Sequence, residues 1–280
     1  MSLLALLLAL AAPASAAARP SLAGARRWAC FYGADLSSAS WRSLDLAVVD
    51  PDNYRGPLAT GPVRLAYVSA GEADDRRAWW PRVQGKPFLV EPDPDWPGAM
   101  RADVRDPAWR ALVEEQVSSA LARGYDGVML DTLDVAEYLE SSAPVRFAGS
   151  IDAAASLVAD LRLRHPDAVL VVNNALAPLS RPAAAAAVDG VVAEDVFTRC
   201  PPGDKPCAPT PEPDSGLKAR ALSALRARGT PVFVLLYSRF DQRRARWVQK
   251  AAARCRRLGF FPYLAAPDLG RLGLVDPFAP

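Results

Sequence analysis

The sequence predicts a single (β/α)8 TIM barrel. Eight short apolar runs recur along the chain, helical stretches separate them, and the connections are long enough for parallel crossovers. The runs are WACFYG (28–33), LDLAVVD (44–50), VRLAYVS (63–69), DGVMLD (126–131), AVLVVNN (168–174), DGVVAED (189–195), PVFVLLYS (231–238) and GFFPYLA (259–265). They lack clean alternation, as strands buried on both faces of a parallel sheet do. No Gly-rich dinucleotide or phosphate loop follows any of them, which argues against an open nucleotide-binding sheet and against a nucleotide cofactor. With 280 residues, 51% of them hydrophobic, the chain can fill one barrel, which runs to about 250 residues.

The first residues, MSLLALLLALAAPASAAARP, carry an apolar stretch from Leu3 to Ala12 and an Ala-Ser-Ala site at 14–16. This is the form of a signal peptide over residues 1–16, too short for a membrane span. The barrel then occupies 17–280 of a secreted, periplasmic or cell-surface protein with no stable span after signal removal.

The helices follow in order. In DPAWRALVEEQVSSALARG, Asp106 is placed to cap, Pro107 to open the first turn and Gly124 to stop the helix. SIDAAASLVADLRLRHP is expected to start from a Ser cap and end before Pro166. SGLKARALSALRARG and DQRRARWVQKAAARCRRLG each stop at Gly, with Asp241 the expected cap of the second. The basic run in that last helix suits a solvated face. With a net charge of +2 spread along the chain, no nucleic-acid partner is expected.

Chemistry in a barrel enzyme collects at the C-terminal ends of the strands. Those ends hold Tyr32 and Asp35, Asp50 and Asp52, Glu72, Asp131 and Asp134, Asn173 and Asn174, Glu194 and Asp195, Tyr237 with Asp241 beyond, and Asp268. Asp126 and Asp189, in matching Asp-Gly-Val runs at the opposite ends, read as turn residues. Capping accounts for Asp241, and Asp134 either caps the next helix or holds Asp131 or the sugar. Capping does not explain Asp131, which lies within its strand, or Glu194, since Glu is a poor cap. Two carboxylates aimed into one mouth suit glycoside hydrolysis, one as acid/base and one as nucleophile or water-activating base. Trp79, Trp80 and Trp96 in the long 70–106 loop, with Tyr32, Tyr54 and Tyr237, offer faces for sugar stacking; Trp109, on a helix, reads as core.

The single His165 precedes Pro166 at a helix end, so chemistry through histidine is not expected. Of four cysteines, Cys200 and Cys207 flank the CPPGDKPC loop and are expected to pair. Cys30 and Cys255 would pair only if the first strand and last helix lie side by side. The spacings do not suit zinc, and no metal site is expected.

Taken together, WACFYGADLSS, DLAVVDPDNY, LAYVSAGEADDRRAWW, GYDGVMLDTLD, VVNNAL and GVVAEDVF resemble glycoside hydrolase family 114, the endo-α-1,4-polygalactosaminidase-like barrels, over roughly residues 28–265. The resemblance implies a metal-free barrel cleaving α-1,4-linked galactosamine or N-acetylgalactosamine polysaccharide. It places the nucleophile on Asp131 and the general acid/base on Glu194. Tyr32, Asp50, Glu72, Asp134, Asn173 and Tyr237 fall on cleft positions. The loop GEADDRR departs from the family pattern: Glu72 and Arg77 match, Asp74 is a methylene shorter, and Arg76 replaces an aromatic. The CPPGDKPC insert is a second departure. The resulting expectation is a monomeric retaining glycosidase. The rivals are a glycan-binding barrel without turnover and a hydrolase of another α-linked glycan.

Overall fold

The computed structural model describes residues 19–201, 205–239 and 241–278; the expected signal segment, 1–16, lies outside them. All eight expected strands are present: β1 (Trp28–Phe31), β2 (Leu46–Val49), β3 (Val63–Ser69), β4 (Gly127–Asp131), β5 (Val169–Asn173), β6 (Gly190–Ala193), β7 (Val232–Tyr237) and β8 (Phe261–Ala265). They pair in parallel in sequence order. Between β1 and β8 there is no ladder; the Trp28 indole donates to the Phe261 carbonyl at 2.8 Å and draws the ends together. Trp28 is fully buried against Phe233 and Tyr263, with ring centroids 5.5 and 5.4 Å away. A two-residue strand, Leu274–Val275, runs antiparallel along β8.

The ends opposite the mouth are latched by aspartates. Asp126 accepts the Arg64 backbone N–H at 2.8 Å and a forked pair of bonds from the Arg64 side chain at 2.8 and 2.7 Å. Asp45 grips Arg27 in the same way, and Asp189 takes the Leu170 N–H and the Arg162 guanidinium. Each Asp just before β2, β4 and β6 thus holds the start of the strand preceding its own. The structural reading of Asp126 and Asp189 stands, but their work is cross-strand clamping more than turning. Gly127 follows because a Cβ there would meet the Val169 carbonyl oxygen at 1.9 Å. Asp126→Ala strips a partly buried guanidinium of its partner and is expected to cost about 2–3 kcal/mol. Thermal melting checks this against Arg82→Ala, which breaks the exposed Arg82–Glu115 pair and should leave the melting temperature unchanged.

The helix over Pro107–Ala122 starts as expected, with Asp106 accepting the Ala108 N–H at 2.8 Å, and its tail stops at Gly124, φ +90°. Two caps differ from expectation. The helix over Ser150–Arg164 is preceded by Gly149 at φ 81°, and Ser150 lies inside its first turn, its hydroxyl donating to the Phe147 carbonyl. The last helix, Arg246–Arg257, begins after Ala245, so Asp241 caps nothing; residues 241–244 form turns that displace the start by a full turn. His165 ends its helix and bonds Glu114 at 2.6 Å.

The long loops are built. Residues 70–106 hold a three-stranded antiparallel sheet of Glu72–Asp74, Leu89–Pro92 and Ala99–Ala102. Beyond β6, Thr198–Arg199 pairs with Ala208–Pro209, and Cys200 and Cys207 form the expected disulfide. Cys30 and Cys255 are both free and buried. Among the described residues no helix is long and apolar enough to cross a membrane.

Candidate active site

Strand periodicity puts alternate residues on one face, and at the mouth this face ends in polar groups on five consecutive strands. Asp131, the last residue of β4, accepts from Asn173 Nδ2 at 2.8 Å and from the Thr132 N–H at 2.8 Å. Tyr67 of β3 stands close enough to its carboxylate to favour the ionised form. Asn173 ends β5 and is 3% exposed. The same Asn173 nitrogen donates to Glu194 Oε1, and the Tyr237 hydroxyl, at the end of β7, donates to Glu194 Oε2 at 2.6 Å. Asp131, Asn173, Glu194 and Tyr237 therefore form one hydrogen-bonded arc, with Tyr67 beside Asp131. The amide orientation is dictated, because a flipped Asn173 would turn its carbonyl on two carboxylates. Its own oxygen is left buried without a partner.

The backbone is bent to present these groups. Thr132 (φ 61°), Asn174 (φ 52°) and Asp195 (φ 55°) each follow a site residue directly and each adopt the left-handed conformation. Asn and Asp tolerate it, whereas a β-branched Thr is a strained choice. Thr132 is held there by its own bonds: Oγ1 donates to the Asp131 carbonyl at 2.7 Å and accepts the Gly71 N–H at 2.9 Å, with Ser69 Oγ at 2.9 Å. A Cβ on Gly71 would strike the Thr132 carbonyl oxygen at 2.0 Å. Asn174 Oδ1 takes the Glu194 N–H at 3.0 Å, and Lys218 Nζ donates to the Glu194 carbonyl at 3.2 Å.

Burial first, and then the Asp131 charge, push the Glu194 carboxyl up to about 7, although Tyr237 and Asn173 pull it down. Burial also raises Asp131, opposed by Asn173, the Thr132 N–H and Tyr67. Like charges held close drive two carboxyls apart in protonation, so the pair carries one proton near neutrality. Tyr237→Phe removes a donor to ionised Glu194 and so raises its pKa further. The basic limb of kcat/KM should move to higher pH while kcat falls about tenfold; a pH–rate profile of wild type and variant reads both.

The other expected residues are distributed around this arc. Tyr32 stands edge-on to Tyr67, ring centroids 5.1 Å apart. Asp50 is 4% exposed and engaged by Arg77 at 2.8 Å and by the Asp52 N–H and Asn53 amide. Arg77 in turn lies over the Tyr67 ring, 5.4 Å from its centroid. Glu72, 8% exposed, is bonded to Asp93; burial and that acid push it up to about 9, so it is the protonated member of the two. Asp134 precedes the helix Val135–Ser142 without a side-chain capping bond, and desolvation with the Asp131 charge pushes it up to about 6. Tyr54 is instead core, its hydroxyl accepting from Trp41 and donating to the Pro57 carbonyl. Trp79 packs on Trp109, and Trp96 stands 61% exposed. Among the described residues no group of three or more His, Cys, Asp or Glu side chains is arranged to hold a metal ion.

Sequence reading missed Tyr67, Thr132 and Lys218. Tyr67 had a signal, since it lies two residues before the end of β3 and so shares the inward face of Ser69. Thr132 and Lys218 act on the backbone of the acids and had none.

The comparisons agree with this architecture. An uncharacterized protein of Deinococcus radiodurans is 28% identical over 279 residues, covering 92% of this chain and 86% of its own. The glycoside hydrolase domain of PelA from Pseudomonas aeruginosa has the same fold, with a TM-score of 0.77 at 24% identity over 90% of this chain and 98% of that one. Ega3 of Aspergillus fumigatus, in complex with galactosamine, has a TM-score of 0.68 at 15% identity over 94% and 98%. The profile of glycoside-hydrolase family GH114 matches residues 9–276, and the chain belongs to that family.

Proposed function

We propose that this glycoside hydrolase is an exported, monomeric, retaining enzyme that cleaves within α-1,4-linked galactosamine or N-acetylgalactosamine polysaccharide. Asp131 is the nucleophile and Glu194 the general acid/base. The observation that carries the reading is the shared Asn173 amide. Two bonds from one nitrogen keep the accepting oxygens of Asp131 and Glu194 within about 5 Å of each other. Retaining pairs stand about 5–5.5 Å apart and inverting pairs about 6.5–9.5 Å. Glu194, lifted to about 7, is protonated where Asp131 is ionised. Asp131 attacks the anomeric carbon as the glycosidic C–O bond breaks, and Glu194 gives its proton to the leaving oxygen. Glu194, now a carboxylate, then takes a proton from water, which attacks and releases Asp131. An acid-rich mouth suits protonated amino sugars, and the galactosamine bound by Ega3 is consistent with that class. Export is supported by the apolar start followed by Ala-Ser-Ala and by the Cys200–Cys207 bridge.

Reducing-end release from α-1,4-galactosamine polymer, with NMR of the first product's anomeric proton, tests the reading. An α product at early time is expected. A β product would reject retention, and no release from any acetylation state would reject the substrate. N-terminal sequencing of the exported protein checks for cleavage near Ala17.

A further inference from the structure

Of the three tryptophans in the 70–106 segment, two are committed to packing. Trp79 lies on Trp109, ring centroids 6.2 Å apart, and Trp80 is packed against the core at the start of a short helix. Trp96 is 61% exposed. A single exposed apolar residue is ordinary on a protein surface. What sets Trp96 apart is the structure built around it.

Trp96 stands at the tip of the hairpin that joins Leu89–Pro92 to Ala99–Ala102. Pro92, Pro94 and Pro97 restrict the backbone there. Asp93 Oδ1 accepts the Asp95 N–H at 2.8 Å, the Ala99 N–H donates to the Trp96 carbonyl at 2.9 Å, and the Asp75 N–H donates to the Gly98 carbonyl at 3.0 Å. Arg101 braces the hairpin, pairing with Glu91 at 3.0 Å and Asp93 at 3.3 Å and lying 3.8 Å from the Tyr138 ring centroid. The indole is thus presented to solvent on a preordered loop, which lowers the entropy lost when a ligand binds.

The nearby charges are of one sign. Asp74 is paired with Arg76, and Glu91 and Asp93 share Arg101. Asp75 and Asp95 are exposed and form no ion pair among the described residues. Asp95 directly precedes Trp96, and Asp75 lies against Gly98, where a Cβ would meet its Oδ1 at 2.5 Å. The same small sheet reaches the mouth. Glu72 pairs with Arg101 and Asp74 with Ala99, and Glu72 feels the Asp131 charge. Two strand residues and one turn separate Arg101 from Trp96, roughly 10–15 Å. Trp96 therefore stands beside the mouth but apart from its acids.

We propose that Trp96, flanked by Asp75 and Asp95, is a remote subsite for a cationic amino-sugar unit of the polysaccharide chain. The C–H face of the sugar ring stacks on the indole, and its ammonium group lies near the two carboxylates. The unit held here is not the unit under attack, so its binding energy is the same in the ground and transition states. It lowers KM for chains long enough to reach both places and leaves kcat unchanged. Short chains gain nothing. This rests on the amino-sugar reading above and adds selection for chain length to it.

Binding without turnover separates the two. In a Glu194→Gln background, calorimetry gives Kd for a short and a long α-1,4-galactosamine oligomer, a trimer and a dodecamer. The long one should bind more tightly. Trp96→Ala, at an exposed position that folding tolerates, should weaken the long oligomer about tenfold and leave the short one unmoved, while Trp96→Phe keeps most of the difference. Asp75→Asn with Asp95→Asn should weaken the long oligomer at low salt and much less at high salt, where the carboxylates are screened. In the active enzyme Trp96→Ala should raise KM on polymer about tenfold at constant kcat. Equal loss for both oligomers, or no loss for either, overturns the subsite. If the unmutated enzyme releases no reducing ends from the polymer, the functional proposal fails, while the pair of Kd values still decides the subsite. If it cleaves and Trp96→Ala leaves the length preference intact, only the subsite fails.

Discussion

Glu194→Gln should lower kcat on unactivated polymer about a thousandfold, yet far less on an aryl glycoside with an acidic leaving group. General acid catalysis contributes about 10²–10⁴-fold, and it is needed in proportion to the basicity of the departing oxygen. Glu194 is fitted to that role because burial and the Asp131 charge hold its proton up to about 7. Gln keeps the shape and still reaches Tyr237, so the fold is preserved and the loss is chemical. Asp131→Asn behaves differently. It removes the attacking oxygen, so polymer and aryl glycoside should suffer alike, by about a thousandfold or more. Measuring kcat for both variants on both substrates gives a pattern that swapped roles would reverse. Activity retained in both variants would sink the assignment of Asp131 and Glu194 as the catalytic pair.

The barrel was legible because its signals are local. Each buried strand is an unbroken apolar run, and each parallel crossover leaves its length in the sequence. Asp131 and Glu194 stood out for the same reason: an acid closing an apolar run has few structural uses, and the structure brings both to the shared Asn173 amide. The Cys200–Cys207 bridge needed only seven residues of separation. What escaped was set by tertiary geometry. Asp241 has the chemistry of a cap, but the chain turns for four more residues before it coils. Cys30 lies on β1, near enough to Glu194 and Asp131 to feel their charge, while Cys255 belongs to the last helix, and the two stay free and buried. Tyr54 sits near a strand end as the groove tyrosines do, but a hydrogen bond from Trp41 holds it in the core. Nor could sequence foresee that the Asn173 amide would bond acids on two different strands.

That double engagement makes Asn173 the other position of large effect. Asn173→Asp is nearly isosteric, but it replaces two donors with a carboxylate facing two carboxylates. Bonds to ionised Asp131 and Glu194 are lost and a third charge enters a buried site, so all three pKa values rise. The acid limb of the pH–rate profile, set by ionisation of Asp131, should move up, with kcat near pH 6 falling at least about a hundredfold. Asn173→Ala loses the same bonds without the added charge and should shift the limb in the same direction by less. Stability follows with a definite sign. The introduced carboxyl has a folded pKa above its unfolded value of about 3.9, so the variant is most stable below that pH and weakens as pH climbs through the folded value. Denaturant midpoints of the two variants at pH 4 and pH 8 separate the cases: the Asn173→Asp variant should lose much more over that interval than the Asn173→Ala variant. Matching midpoints and unshifted limbs would mean that Asn173 fills space beneath the acids without governing their charge, and the coupling between Asp131 and Glu194 would rest on direct charge repulsion alone.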